Sequence, residues 1–292
     1  MANNRSAYSA VSVSIVIPAY NEEQHIAACL QSIAAQTVQP FEVIVVDNNS
    51  TDQTVAIARR FPFVKIVHEA RQGVVFARDQ GFNAARGSII GRIDADSILT
   101  THWVETVQTL FSNPSLDAAS GIVHYRDVSW SAAFDAVDLL IRRYMATRME
   151  RSGEQFLYGV NMALRRSVWH TVRNDVCHER AFHEDQDLAI HLSERKKRII
   201  FTQAMQTSIS PRQAAAGPRE FLQYVWSNSK VYDAHSQPSV RYINRVALAV
   251  SCLYVPIHIM YRGYNPKTGR FSFTQALGGD VSKRVSPLSE TV

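Results

Sequence analysis

The sequence predicts an α/β fold: a mostly parallel sheet flanked by helices, with a helical extension toward the C-terminus. Three observations carry this. Short apolar runs alternate with helical patterns through the first hundred residues, the order that builds a parallel sheet covered by helices. The runs are continuous, as expected of strands buried on both faces. Polar residues gather just after the runs end, at Asn21–Glu22, Asp47–Asn49 and Asp94–Asp96. In open α/β sheets the ligand crevice lies at those carboxyl ends.

VSIVI (13–17), closed by Pro18, is the first strand. From Glu22 to Gln36 the residues Ile26, Leu30 and Ile33 fall on one helical face. FEVIVV (41–46) is a second strand leading into Asp47, and the polar turn NNSTD follows. Thr51 or Asp52 is expected to cap a helix running to Arg60. FVKIVH (63–68) makes a third strand, Gly73 to Arg86 a helix, and SIIGRI (88–93) a fourth strand ending at Asp94. Past residue 100, Trp103, Val107, Leu110 and Phe111 mark a helix face, and a longer helix over 130–151 has a basic second half of Arg142, Arg143, Arg148 and Arg151. FLYGVNMAL (156–164) is a strand or turn before a helix holding Trp169. HEDQDLAIHL opens a helix that ends in RKKR (195–198), RIIF is a short strand, and a further helix runs through Phe221, Tyr224, Val225 and Ser229.

The most apolar stretch is VALAVSCLYVPIHIMY (246–261), flanked by Arg245 and Arg262. It is shorter than the ~20 residues of a spanning helix and contains Pro256 and His258. A buried core helix and a helix lying on a membrane surface both fit it. Residues 1–11 and 263–292 are expected to be loosely held tails. MANNRSAYSA lacks the apolar centre of a signal peptide.

The 292 residues are 46% hydrophobic and 20% charged, globular values that exclude a disordered or collagen-like chain. Lys and Arg number 31 against 26 Asp and Glu, a net +5. That excess admits an anionic partner without choosing among nucleotide diphosphate, nucleic acid and acidic lipid. The three cysteines, Cys29, Cys177 and Cys252, are odd in number and widely spaced. They show no zinc or disulfide pattern and suit a reducing compartment.

Three acidic features carry candidate chemistry. Asp94 and Asp96, one residue apart at a strand end, suit a hard divalent cation completed by phosphate oxygens, although two solvated turn acids have the same spacing. Asp47 at its strand end is placed either to accept from a base edge or ribose hydroxyl or to cap the following turn. Glu184 and Asp185, with Asp187 following, either compensate a helix dipole or supply a general base for an acceptor hydroxyl. His183, just before them, is expected to have a structural role.

Taken together, VSIVIPAYNEEQHIAACLQSIAAQT, EVIVVDNNSTDQT, GVVFARDQGFNAARGSIIGRIDADS, YGVNMALRRSVW and HEDQDLAIHL resemble the family 2 inverting glycosyltransferases of the GT-A fold, in the family's order and over roughly residues 12–205. The resemblance implies a GT-A domain over 12–238, with a nucleotide-binding half (12–100) and an acceptor-binding half (101–238); the apolar segment at 239–262 follows it, open to a core or a membrane-associated role. It implies that Pro18, Ala19, Tyr20, Glu22, Asp47, Arg78 and Asp94 contact the nucleotide, with Asp47 on the base, usually uracil. Asp96, with Asp94, would hold Mg2+ or Mn2+. Gly159 and Asn161 would belong to an acceptor or donor-sugar loop with Val160 and Met162. Asp185 would be the catalytic base, with Glu184 beside it. The implied partners are a nucleotide-sugar donor and a saccharide or lipid-linked acceptor, with peripheral membrane contact and no nucleic acid. The implied place is the cytoplasm, including the inner face of the cell membrane, in glycan, glycolipid or cell-envelope polysaccharide synthesis.

This sequence departs from the family at Asp79, where Asn is common; at 207–213 (TSISPRQ), which lacks a metal-binding His found in some relatives; and in lacking the Q-x-x-R-W signature of processive synthases. A single-addition transferase is therefore expected. The competing expectations are a sugar-1-phosphate nucleotidyltransferase, disfavoured by the acidic, glycine-free PAYNEE after the first strand, and a non-catalytic nucleotide-sugar or membrane-surface binding module.

Overall fold

A computed structural model describes residues 11–128, 131–180, 182–211, 217–265 and 268–278. Along the chain run β1 (Val13–Ala19), α1 (Ile26–Ala34), β2 (Glu42–Asp47), α2 (Thr54–Ala58), β3 (Val64–His68), α3 (Val74–Ala84), β4 (Ile89–Ile93), β5 (Ile98–Leu99), α4 (Trp103–Phe111), β6 (Ala118–Tyr125) and α5 (Ser131–Arg151). There follow β7 (Asn161–Arg165), α6 (Arg166–Val172), α7 (Glu184–Glu194), β8 (Ile199–Ile209), α8 (Pro218–Ala234), α9 (Val240–Cys252), α10 (Tyr254–Gly263), a small hairpin of β9 (Tyr264–Asn265) and β10 (Arg270–Phe271), and α11 (Phe273–Gly278).

The main sheet has the order β3-β2-β1-β4-β7-β6-β8-β5. β1, β2, β3 and β4 pair in parallel, and β6 pairs in parallel with β8. β7 runs antiparallel between β4 and β6, and β5 closes the edge antiparallel to β8. The period-two geometry of β1 divides two cores between the faces. Val13, Ile15 and Ile17 meet Ile26, Leu30, Trp103 and Val107 on one face. Val16 meets Ala77, Phe82, Trp169 and Leu188 on the other. Both tryptophans are fully buried, as their helical spacing predicts. Gly81 permits the second contact: a Cβ there would lie 2.3 Å from Val16 Cγ1, so α3 reaches the sheet only without one.

Several boundaries depart from the sequence expectations. The first helix begins at Ile26 because 22–25 is a turn, with Ile26 N–H donating to Glu22 O at 2.9 Å. At α2 the N-cap is Gln53, without a side-chain cap, and not Thr51 or Asp52; Asp52, one residue earlier, accepts from Thr54 N–H at 2.9 Å and ties down the first turn. β6 was not anticipated, and the strand begun by RIIF extends for 11 residues. One sheet runs through both expected halves, 12–100 and 101–238, as β7, β6 and β8 continue the sheet of β1–β4.

The apolar 239–262 segment is two helices, α9 and α10, bent by 50°. No single described helix is long and apolar enough to cross a membrane, although this bent pair passes by length and composition. A fully buried core helix is excluded. Ile243, Ala247 and Tyr254 are buried, while Leu248, Leu253 and Val255 are exposed. The expected loose tail at 263–292 is also corrected in part. Residues 264–265 and 270–271 form the hairpin, and α11 packs against α10. Residues 279–292 and 1–10 lie outside the described residues.

Candidate active site

The chain winds outward from β1 through β2 to β3 and then returns to β4 on the other side of β1. This places a switch point between the carboxyl ends of β1 and β4, where such sheets open a crevice. A cavity of about 460 Å³ occupies that position. Pro18, Ala19, Tyr20 and Glu22 line it from the end of β1, and Asp94, Ala95 and Asp96 from the end of β4. β7 is antiparallel to β4, with Asn161 opposite Ile93. Its entry, Tyr158 and Val160, therefore arrives at the same end and joins the wall. His183, Glu184, Asp185 and Gln186 at the start of α7 complete the polar side.

Arg92 links the two acidic groups, a role the sequence analysis missed. Its Nη1 lies 3.0 Å from Asp94 Oδ1 and its Nη2 3.0 Å from Glu184 Oε1. Burial works against the Arg92 charge, but Asp94, Glu184 and Asp185 outweigh it and hold the guanidinium pKa above its ordinary value. Asp94 and Asp96 are hard oxygen donors on one wall, a set that suits Mg2+ or Mn2+. Asp94 is also engaged by Arg92, and the main-chain carbonyl of Asp96 accepts from Arg126 Nη2 at 2.9 Å.

Asp185 is oriented from two sides. Gly159 N–H donates to its Oδ2 at 2.6 Å, and Gln186 N–H donates to its Oδ1 at 2.8 Å. Each carboxylate oxygen has a second lone pair available to a hydroxyl. A Cβ on Gly159 would fall 2.3 Å from Arg92 Nη1 and 3.2 Å from Asp185 Oδ2, so this position requires glycine for close approach. The acidic first turn of α7 (Glu184, Asp185 and Asp187) also matches the positive end of the helix dipole.

Tyr158 and Arg142 extend the wall. Arg142 pairs with Asp138 and lies over the Tyr158 ring, 3.3 Å from its centroid. Burial pushes the Tyr158 phenol up to about 12 against the pull of Arg142, with Asp138, Asp94 and Asp185 adding to the rise. At neutral pH Tyr158 is therefore an uncharged hydroxyl. The far end of the cavity is apolar, formed by Ile141 and Met145 of α5, Val246 and Val250 of α9, and Ile257 of α10.

Three candidate residues sit elsewhere. Arg78 is fully buried and absent from the cavity wall. It donates to Asp79 Oδ1 at 2.8 Å and to the main-chain carbonyl of Glu184, so it anchors the start of α7. Asp79, where the family often has Asn, also pairs with His178 Nε2 at 2.9 Å and belongs to that anchor. Asn161 is buried behind the wall: its Oδ1 accepts from Trp103 Nε1 at 2.8 Å and its amide donates to the carbonyls of Ile122 and Met205. Asp47 is not part of the wall. It accepts from Ser50 N–H at 3.0 Å and lies 3.2 Å from His68 Nδ1, while its neighbour Asn48 lines the cavity. Asn48 accepts from Gly73 N–H at 2.7 Å and donates to the Glu69 and Arg71 carbonyls, fixing the loop before α3. His183 Nε2 lies 2.8 Å from Ser227 Oγ, a structural link to α8. Of the two tryptophans whose rings could stack on an acceptor sugar if exposed, Trp130 lies outside the described residues and Trp226 is off the cavity wall.

Comparisons with known proteins locate this architecture. A model of the family described as Glycosyl transferase family 2 matches residues 14–173. An uncharacterized glycosyltransferase, YibD of Escherichia coli, is 32% identical over 111 residues, which are 37% of this chain and 32% of the relative. Glycosyltransferase AglE of Haloferax volcanii is 29% identical over 163 residues, 53% of each protein. The matched stretch thus spans between a third and about half of these relatives. The mannosyltransferase PcManGT of Pyrobaculum calidifontis, solved with GDP-Man and Mn2+, superposes with a TM-score of 0.60 at 19% identity, covering 84% of this chain and 74% of that one. Glucosyl-3-phosphoglycerate synthase of Mycobacterium tuberculosis, solved with Mn2+, UDP-Glc and phosphoglyceric acid, gives 0.54 at 19% identity, covering 78% and 80%. These structures share the fold.

Proposed function

Because the chain belongs to glycosyl transferase family 2, we propose that its cavity transfers a sugar from a nucleotide-diphosphate donor to an acceptor hydroxyl with inversion at the anomeric carbon. The observation that carries this is the meeting of Asp94 and Asp96 with Glu184 and Asp185 around one cavity at the sheet's switch point. One pair faces the place for a pyrophosphate and the other a place for an incoming alcohol.

The donor lies against Pro18, Ala19, Tyr20 and Glu22, with Asn48 toward the base. Asp96 and Asp94 would hold a divalent cation, which when bound would neutralise charge on the leaving diphosphate. Asp185 accepts the proton of the acceptor hydroxyl while that oxygen attacks the anomeric carbon. The bond from that carbon to the phosphate oxygen breaks, and its electron pair leaves with the diphosphate. Gly159 N–H and Gln186 N–H keep the Asp185 carboxylate aimed during this step. Arg92 holds Glu184 and Asp94 at fixed spacing and places a positive charge beside the departing group.

The acceptor is read as lipid-linked. The apolar lining of the cavity and the exposed Leu248, Leu253 and Val255 support it, and the same reading includes peripheral attachment through α9 and α10 at the cytoplasmic face of a membrane. A uridine diphosphate donor follows the family resemblance. The deciding experiment is a thermal-shift screen of nucleotide sugars with and without Mn2+. One uridine diphosphate sugar should raise Tm only with Mn2+, and Asp96→Ala should remove the rise. A rise that is independent of the metal and unaffected by Asp96→Ala would contradict the reading.

A further inference from the structure

We propose that Cys177, Asp187, His191 and His235 form a structural zinc site behind the active-site helix. Cys177 comes from the connection between α6 and α7, Asp187 and His191 from successive turns of α7, and His235 from the C-cap of α8. One ligand atom from each lies within 4.8 Å of all the others. The cluster is separate from the wall formed by Asp94, Asp96 and Asp185.

The donor set and spacing select zinc. A thiolate, two imidazoles and a carboxylate suit a borderline-soft, tetrahedral ion better than Mg2+ or Mn2+. Zinc bonds of ~2.3 Å to sulfur and ~2.0 Å to nitrogen or oxygen put tetrahedral ligand atoms roughly 3.3–3.6 Å apart. Cys177 Sγ is 3.6 Å from His235 Nε2, and His191 Nε2 is 3.6 Å from Asp187 Oδ1. His235 Nε2 and Asp187 Oδ1, at 2.9 Å, would open slightly to admit the ion.

Two further observations point to a ligand. His191 Nε2 is buried, faces the cluster and has no hydrogen-bond partner. Its other nitrogen, Nδ1, lies 3.3 Å from Glu194 Oε2, the carboxylate–histidine arrangement that orients a metal-bound imidazole. Asp187 is likewise held by a second partner, since its Oδ2 accepts from Cys177 N–H at 2.9 Å. An Asp187–His235 hydrogen bond alone accounts for His235 but leaves His191 Nε2 unused. Zinc would fasten the α6–α7 connection and the end of α8 to the helix that begins with Glu184 and Asp185. The four ligands lie on three separate segments with one cysteine among them, so no zinc spacing is visible in the sequence.

The test is metal analysis of the full chain purified from zinc-supplied cells without a metal-affinity step. The expected result is about one zinc per chain after dialysis, lost in Cys177→Ala. The cobalt(II)-loaded protein should show tetrahedral ligand-field bands and a thiolate charge-transfer band, a readout that needs no variant to fold. Glu194→Gln, on the surface, should keep zinc but weaken its affinity about tenfold. Cobalt bands without the thiolate transition, or far less than one zinc with no rise in Tm on adding Zn2+, would overturn the site.

Discussion

At the scale of single residues, Arg92 ties the cavity together. Its charge is buried between Asp94 and Glu184, and removing one partner of a buried ion pair costs on the order of 3–5 kcal/mol. Arg92→Met should lower stability by about that amount in denaturant titration and abolish turnover. Gly159→Ala should be milder in stability yet severe in kcat, since the new methyl displaces Arg92 and crowds Asp185. Asn161 separates structure from chemistry. Asn161→Leu leaves Trp103 Nε1 and two carbonyls unpaired in the core, at a cost of roughly 1–3 kcal/mol per orphaned group. Its Tm should fall markedly while donor KM at low temperature stays near wild type. These residues also show where sequence reasoning stops. Asp94, Asp96 and Asp185 are legible only in combination: each acidic group alone reads equally as turn acids or helix-dipole compensation, and it is the ordered motifs around them that point to one site. Arg92 is hidden in the apolar run SIIGRI, since the bridge it makes from nearby Asp94 ends on Glu184 of α7, far along the chain. Arg78 carries a nucleotide-like motif, yet α3 turns it inward onto the Glu184 carbonyl.

At the scale of elements, legibility follows burial. β1, β2 and β4 are buried runs covered on both faces and stand out in the sequence, while the edge strand β3 keeps Lys65 and His68 exposed. β6 (AASGIVHY) is built partly from small residues, and β8 continues as the polar-rich TQAMQTSI, in which Gln203 is exposed but Thr207 is buried, so neither announces itself fully. The loop between β3 and α3 makes a prediction of its own. Hydrogen bonding from the Arg71 side chain holds the Glu69 carboxyl below its ordinary value of 4.5, against partial desolvation. A depressed folded pKa gives stability that is present above the ordinary value and lost as the pH falls through the folded one. Glu69→Gln should therefore lower Tm at neutral pH, and the gap to wild type should close as the solution is acidified below 4.5.

At the scale of the whole molecule, one topological event creates the site. The return of the chain from β3 to β4 opens the crevice, and the antiparallel β7 brings Tyr158 and Gly159 back to it. The second half of the chain then supplies α7 with Asp185, the proposed base, and α9 and α10 with apolar lining. Co-sedimentation with anionic liposomes should retain the wild-type chain and release a Leu248→Glu, Val255→Glu variant whose Tm is unchanged. The account stands most directly on Asp185. With the matched nucleotide sugar and acceptor, Asp185→Asn should lower kcat by about 10²–10⁴-fold while donor Kd in the presence of Mn2+ stays within about twofold. Wild-type turnover in that variant would contradict the assignment of Asp185 as the group that takes the acceptor's proton.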